Sequence, residues 1–593
     1  MCCCRAGTRP YFSTTDSRLL LKFLRKALRP GSTAADLNAQ GVAHHGRAEF
    51  EPAEACFRKA IARAPEDATT WNNLAATLLA QQKYSAAIPV LRELTALQPQ
   101  LAEAHLDLGV CHNRLRQNAE AIAHYRRAIA LKPALAVAQA NLINAYLDSC
   151  EWDEAERWTA EFLEYRKHHS ADEWVRRIAP YCALSLLPGP ICKEVAMYRA
   201  AGFERAAQGN PVPAARTRSA RRIRIGYVSA DFHDHATAHL TFGLYAAHRR
   251  DEFEVYAYSL GPDDGGRYRR HIEQTRDRFI APQREPPEVT ARRIADDGID
   301  ILIDMKGYTA NGRPQIFAHR PAPVQVNYLG YPGTTGARYI DYFISDSVAT
   351  PPGHEAEFTE QIVRLPGSYQ VNDGRQPISS DPVSRSACGL PEGAFVYCSF
   401  NLPRKIDRAI FSVWMEILRQ VPHAVLWLID DDALAVANLR KEARARNVDP
   451  GRLIFAGRQQ KSVHLARHRL ADLFLDPHIY NSHTGGSDAL WAGLPLVTCP
   501  GAAFASRVGA SLLNAAGLPE LIVHDLDAYR ELAVRLAEDR ALLATYRMKL
   551  EQNRTSCALF DTAGYVRNLE SAYRTMLERH QSGRAPESFA VAP

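Results

Sequence analysis

Hydrophobic and polar positions along the chain follow two rhythms, and the change between them falls near residue 220. From about residue 34, small and apolar residues return every 34 positions: Ala53, Ala87, Ala121 and Ala155 keep that interval, as do Pro65, Pro99 and Pro133. A fixed period of this length predicts helix pairs stacked in a solenoid. The alanines mark the points where the two helices of a pair must approach closely. Trp71 and Leu74 open one unit and Leu108 and Gly109 the next, while Phe57, Leu91 and Tyr125 stand one turn beyond the alanine. Three units are clear over 34–135. A fourth keeps Leu142, Tyr146 and Ala155 but has Lys167 where the proline would stand, as a capping unit would.

Residues 170–222 predict a helical, basic connector, broken by LLPGP at 186–190 and closed by GNPVPAARTRSA. From Ile223 short β-branched runs alternate with helical stretches: IRIGYVS, FEVYAYSL, IDILIDMKG and VQVNYLGYPG, then FVYCSF at 395–400, AVLWLID at 424–430, RLIFAG at 452–457, LADLFLD at 470–476 and LPLVTCPG at 494–501. Buried parallel strands alternating with helices predict two doubly wound, Rossmann-like α/β domains behind the helical solenoid. The turn-rich GRQPISSDPVSRSACGLPEG at 374–393 is the expected junction. The organisation expected is an extension without fixed structure at 1–33, repeats at 34–169, a linker at 170–222, a first α/β domain at 223–380, a second at 381–578 and a disordered tail at 579–593.

Composition narrows the function without naming it. At 593 residues, 46% hydrophobic and 23% charged, the chain is ordinary for a soluble multidomain protein. A net charge of +6, from 72 Lys and Arg against 66 Asp and Glu, is too small for its length to mark a nucleic-acid binder. The densest basic cluster, RTRSARRIR at 216–224, reads as a solvated domain junction. Twelve scattered cysteines, with no C-x-x-C pair and no zinc-type spacing, suit a reducing compartment without a disulfide framework. The opening MCCCRAGTRPYF lacks a signal-peptide apolar segment, and nothing approaches the roughly 18–20 apolar residues of a membrane span. A cytoplasmic protein with no membrane partner is expected.

In doubly wound sheets ligands bind at the carboxyl ends of the strands, so the polar residues there carry the candidate chemistry. The first strand is followed by SADFHDHATAHL, with His233, His235 and His239; a histidine there is placed to take a proton near neutrality. The fourth run leads into GYPGTTG at 330–336, whose glycines, Gly333 among them, permit close backbone approach. SFNLPRKID places Lys405 just past a strand, where an ammonium can neutralise phosphate. KSVHLARHRLADLFLD supplies Lys461 and His464, then runs into YNSHTGGSDALWAG, where a helix starts among His483, Thr484 and Asp488. A helix N-terminus flanked by lysine, imidazole and carboxylate suits a nucleoside diphosphate. The acidic run Asp430 to Asp432 raises a metal-binding alternative. It ranks lower, because lysine and helix terminus already supply positive field.

In combination, the 34-residue units resemble the tetratricopeptide repeat. The motifs DFHDHATAHL, RPAPVQVNYLGYPGTTG, RKID, VPHAVLWL, YNSHTGGSDALWAGLPLVTCPG and ASRVGASLL resemble those of the O-linked N-acetylglucosamine transferase and SPINDLY family over about 34–575. The resemblance implies a B-type, inverting glycosyltransferase that needs neither metal nor cofactor and moves a sugar from a UDP- or GDP-linked donor to Ser or Thr of proteins. It carries the acceptor-side histidine to His235 and the diphosphate lysine to Lys405. It carries the residue against the base to His464, ribose contacts to Lys461 and Asp488, and the nucleotide loop to His483 and Thr484. Two departures stand out. Gly485 replaces a second threonine and Leu402 a polar residue, each removing one hydrogen bond of about 1–3 kcal/mol to the diphosphate. The residues leave UDP-N-acetylglucosamine and GDP-fucose both open as donors, and an inactive transferase half serving a peptide-binding scaffold is a third reading. The repeats are expected to hold a protein or peptide acceptor, or to act as a spacer or homodimerisation arm, and to contribute nothing to the donor cradle.

Overall fold

The structure, a computed structural model, describes residues 32–212 and 222–592. The expectations for residues 1–31, and for most of the basic cluster at 216–224, lie outside the described residues. Four helix pairs make up the repeats: Ala34–Gly46 with Phe50–Ile61, Ala68–Ala80 with Tyr84–Leu97, Ala102–Arg114 with Asn118–Leu131, and Ala136–Asp148 with Trp152–His168. The small residues sit at the crossings: a Cβ on Gly41 would come within 2.5 Å of the Phe57 ring, and one on Gly109 within 2.4 Å of Tyr125. The turns inside the pairs share a device not expected from composition. Ala48, Gln82, Arg116 and Cys150, again 34 residues apart, all adopt positive φ of 54–59° without being glycine. Each conformation costs about 1–2 kcal/mol. The packed helices on either side hold it in place.

The connector consists of Ala171–Trp174, Pro180–Leu186 and Gly189–Gln208. Beyond it stand strands β1 (Ile223–Ser229), β2 (Phe253–Ser259), β3 (Arg278–Ile280), β4 (Ile301–Asp304), β5 (Val324–Asn327), β6 (Tyr342–Asp346) and β7 (Gln361–Leu365). The second lobe holds β8 (Phe395–Ser399), β9 (Ala424–Ile429), β10 (Leu453–Ala456), β11 (Leu473–Leu475) and β12 (Leu496–Val497), and β13 (Phe589–Ala590) lies near the chain end. Among the described residues the sheets are wholly parallel, ordered β13-β7-β6-β5-β4-β1-β2-β3 and β10-β9-β8-β11-β12. Strand order reverses between β1 and β4 in one and between β8 and β11 in the other, and a crevice opens at such a switch point.

The end of the chain departs from expectation. Residues 562–578 were assigned to the second domain and 579–593 to a disordered tail. Instead, helix Thr562–Gln581 crosses back onto the first lobe and β13 extends its sheet beside β7. Glu570 explains the return: its carboxylate accepts from the Arg249 amide at 2.8 Å, the Arg249 guanidinium at 3.0 Å and His248 Nδ1 at 3.1 Å. Tyr565 donates to the Tyr369 carbonyl at 2.5 Å. The apolar face of this helix, with Val566, Leu569, Tyr573 and Met576, is buried in the same core as Tyr227 and Val326.

Candidate functional site

The loops leaving β8 and β11 build the second lobe's share of the site. After β8 the chain makes one 3-10 turn, Pro403–Lys405. This turn carries the Lys405 ammonium to the Asn481 carbonyl, to which it donates at 2.6 Å, and 4.3 Å above the Tyr480 ring. Burial pushes the Lys405 pKa down to about 7 against the opposing pull of Asp476. The Asp476 carboxylate is itself taken up by the Ser482 amide at 2.7 Å and the Thr498 hydroxyl at 2.6 Å. Asn401 donates to the Ser482 hydroxyl at 2.6 Å, and Asn481 bridges Pro477 and Gly509. These bonds set the start of helix His483–Trp491, whose first amides have no intrahelical partner.

The remaining second-lobe candidates line the same region. Lys461 and Asp488 form an ion pair with side chains only 7% and 6% exposed. His464 lies between Phe400, at 5.5 Å, and His468, at 4.6 Å, and its pKa falls well below the ordinary histidine value through burial. It is neutral, suited to packing against an uncharged ring. His483 Nε2 donates to the Ala505 carbonyl at 3.0 Å, so its Nδ1 carries a lone pair; Thr484 is half-buried one residue on.

From the first lobe, the switch point between β1 and β4 joins residues that lie far apart in sequence. Lys306, just past β4, donates to both oxygens of Asp231, just past β1, at 2.7 Å. Asp231 also accepts from the Thr237 hydroxyl at 3.0 Å. His235 caps helix Ala236–Leu240: its Nδ1 accepts from the Thr237 amide at 3.2 Å and stands 3.3 Å from Asp231. That amide is an obligate donor, so Nδ1 is bare and the ring proton sits on Nε2. The His235 side chain keeps 42% of its surface accessible. Desolvation lowers its pKa to about 4, with Asp231 pulling upward and Lys306 downward. His239 donates to Asp234 at 2.6 Å, rests 4.4 Å from Tyr268, and feels the charges of Lys461 and Asp488 from the opposite lobe. Gln370 ties the lobes by donating to the Ser487 hydroxyl at 3.1 Å.

The structure also places the GYPGTTG loop and the acidic run, and it changes one expectation. At Gly333 a Cβ would meet Leu184 of the connector at 3.0 Å, so the backbone of this loop runs close against the connector. The loop's threonines, Thr334 and Thr335, bind buried Glu360. The acidic run has structural occupations. Asp431 pairs with Arg116 at 2.9 Å, and Asp432 caps helix Ala433–Ala445 while accepting from the Asn118 amide at 3.1 Å. The repeats, expected to leave the donor cradle alone, hold both flanks of Lys405. Cys150 donates to the Pro403 carbonyl at 3.6 Å, Trp152 Nε1 to the Ile406 carbonyl at 3.0 Å, and Arg404 pairs with Asp148 at 2.7 Å. Lys306, Asp231, Arg404 and Tyr480 were not singled out from sequence. For Lys306 the signal was present, a lysine two residues past the end of IDILID.

The glycosyl transferase family 41 model matches residues 207–380 and 376–569, and a tetratricopeptide-repeat model matches 38–102 and 74–136. A protein of Arabidopsis thaliana named "Probable UDP-N-acetylglucosamine-peptide N-acetylglucosaminyltransferase SEC" is 40% identical over 386 residues, covering 64% of this chain and 40% of its own. The UDP-N-acetylglucosamine-peptide N-acetylglucosaminyltransferase of Caenorhabditis elegans is 31% identical over 475 residues, 61% of this chain and 41% of its own. The chain thus spans about 40% of the length of these curated relatives. A lysine-to-methionine variant of the Thermobaculum terrenum O-GlcNAc transferase superposes with a TM-score of 0.71 at 27% identity, covering 93% of this chain and 98% of that one.

Proposed function

Because the chain belongs to glycosyl transferase family 41, we propose that it transfers N-acetylglucosamine from UDP-N-acetylglucosamine to Ser or Thr hydroxyls of a protein acceptor, with inversion. The observation that carries this reading is the placement of Lys405 beside the start of helix His483–Trp491 at the switch point of one sheet, with His235 at the switch point of the other. In the proposed arrangement the helix amides and the Lys405 ammonium take the diphosphate. The Lys461–Asp488 pair presents its carboxylate to the ribose, and neutral His464 lies along the uracil.

The chemistry is one displacement at the anomeric carbon. The bond to the diphosphate breaks as the acceptor oxygen approaches, and negative charge grows on the leaving group. Lys405 is suited to that change because a half-buried ammonium interacts strongly with charge that develops next to it. His235, with its proton on Nε2, donates a hydrogen bond into the cleft and orients an oxygen there, and the acceptor hydroxyl's proton passes late to an oxygen of the departing diphosphate. Lysine and helix terminus supply the positive field, so nucleotide binding requires no divalent metal. Among the described residues no helix is long and apolar enough to cross a membrane.

The test incubates the full chain with UDP-N-acetylglucosamine or GDP-fucose and a Ser/Thr peptide, following nucleotide release and peptide mass, with and without chelator. Release of UDP with a glycosylated peptide, unaffected by chelator, is expected. GDP release alone would make the protein a fucosyltransferase, and no release from either donor would leave the scaffold reading.

A further inference from the structure

The repeat array reaches further into the chemistry than a docking arm needs to. Of the four residues Pro403 to Ile406, three are held by the fourth repeat. The Pro403 carbonyl accepts from Cys150, the Ile406 carbonyl from Trp152, and the Arg404 side chain enters the repeat itself. The fourth, Lys405, points the other way, to Asn481 and Tyr480.

Arg404 is only 1% exposed, and its ion-pair partner Asp148, at the end of helix Ala136–Asp148, is 2% exposed. Nη2 also donates to Asn144 at 3.3 Å, and the guanidinium lies 5.5 Å over Tyr181 of the connector. The Tyr181 and Tyr480 hydroxyls are 3.4 Å apart, so the contacts run in a closed ring from Arg404 through Tyr181 and Tyr480 to the Lys405 ammonium.

A buried ion pair is a poor way merely to glue two surfaces. Apolar side chains of similar volume often hold as well or better, whereas a paired charge fixes register. Here one Asp148 oxygen, Oδ2, has no protein hydrogen-bond partner.

We propose that Asp148 and Asn144 of the fourth repeat are positioning residues for Lys405, acting through Arg404, so that the ammonium meets the leaving diphosphate only when repeats and catalytic lobes are locked in one register. The proposal rests on the transferase reading for its meaning, though not for its measurement. Through this ring, any distortion of the last repeat reaches the charge that stabilises the leaving group.

Two variants test it in the full chain. Asp148→Asn keeps the shape and strands the Arg404 charge; Asp148→Leu with Arg404→Met replaces the pair by apolar side chains and keeps the interface closed. Both are measured for melting, for donor KM and turnover, and for the pH dependence of UDP affinity by calorimetry. A displacement of about 1 Å at a reacting group costs on the order of 10²-fold in rate. The double variant is therefore expected to melt at or above the parent temperature with turnover reduced by about that factor and donor KM nearly unchanged. A loosened Lys405 also regains water, so the loss of UDP affinity with rising pH should move to higher pH in both variants. Full turnover in the double variant with an unmoved pH profile would overturn the proposal, as would losses that merely track melting. A parent chain that binds UDP but transfers nothing would overturn the transferase reading, while the binding profile still decides the positioning claim.

Discussion

Replacing Lys405 by methionine removes the ammonium and keeps most of the side-chain volume over Tyr480. At ordinary ion-pair separation and an effective dielectric of about 20, an ammonium and a unit negative charge attract by about 4 kcal/mol. The donor diphosphate is already anionic before reaction, so only the charge added on bond breaking counts toward turnover; with the bond half broken that increment is about 2 kcal/mol. Between these bounds turnover should fall about 30- to 1,000-fold at about 1.36 kcal/mol per tenfold, while donor KM changes several-fold at most. The free-enzyme profile adds a second signature. Because burial holds the Lys405 pKa near 7, the ammonium is present below that pH and lost above it, so kcat/KM should decline as pH rises through about 7 in the parent. In Lys405→Met this decline should be absent. Steady-state release of UDP with saturating peptide, from pH 5.5 to 9, measures both. A variant with near-parental turnover and only a raised KM would mean that the lysine contributes uniform binding, and the charge-stabilisation argument would be wrong.

Removing residues 34–169 leaves Arg404 without Asp148 and Asn144, so turnover should fall on the order of 10²-fold while donor KM changes several-fold at most; a truncated chain of native melting temperature and parental turnover would contradict the geometry around Lys405. Gly485→Thr should fold normally, since a Cβ there meets nothing closer than the Phe400 carbonyl at 3.7 Å, and should tighten UDP binding by about tenfold through one restored hydrogen bond. Unchanged affinity would place position 485 away from the diphosphate. His235→Gln keeps a donor near the Nε2 position and should retain much more turnover than His235→Ala. With the imidazole pKa lowered to about 4, neither the parent nor the Gln variant should show an acid limb near pH 6.5, and equal inactivity of the two variants would restore His235 as a base.

The solenoid was legible because its signal is repetition: an alanine needed at each helix crossing recurs at a fixed interval whatever surrounds it. The core strands were legible as continuous apolar runs, the mark of strands buried on both faces. Strands β3, β6 and β7 were missed for the complementary reason. Arg278–Ile280 is three residues long, and Tyr342–Asp346 and Gln361–Leu365 interleave polar side chains that the fold satisfies internally, as when Ser345 donates to Thr350 at 2.7 Å. The second lobe's candidates were found because each lies in a motif just past a strand: Lys405 after β8, Lys461 and His464 after β10, and His483, Thr484 and Asp488 after β11. Lys306 and Arg404 were not, because their partners, Asp231 and Asp148, lie 75 and 256 residues away. A lysine after a strand looks the same in sequence whether it faces solvent or a buried carboxylate; only strand order decides.

The return of the last helix and strand to the first lobe also bears on how the protein is made. During synthesis the first sheet emerges early, yet Tyr227, Tyr328 and His248 stay uncovered, and the edge of β7 unpaired, until residues 562–590 have left the ribosome. More than two hundred residues, the whole second lobe, are translated in that interval. An open parallel edge beside exposed aromatic surface invites wrong pairing. The nascent chain is therefore vulnerable for as long as the second lobe takes to translate, and slowing translation within that lobe should lower the yield of native protein more than slowing it within the repeats, which close pair by pair as they emerge.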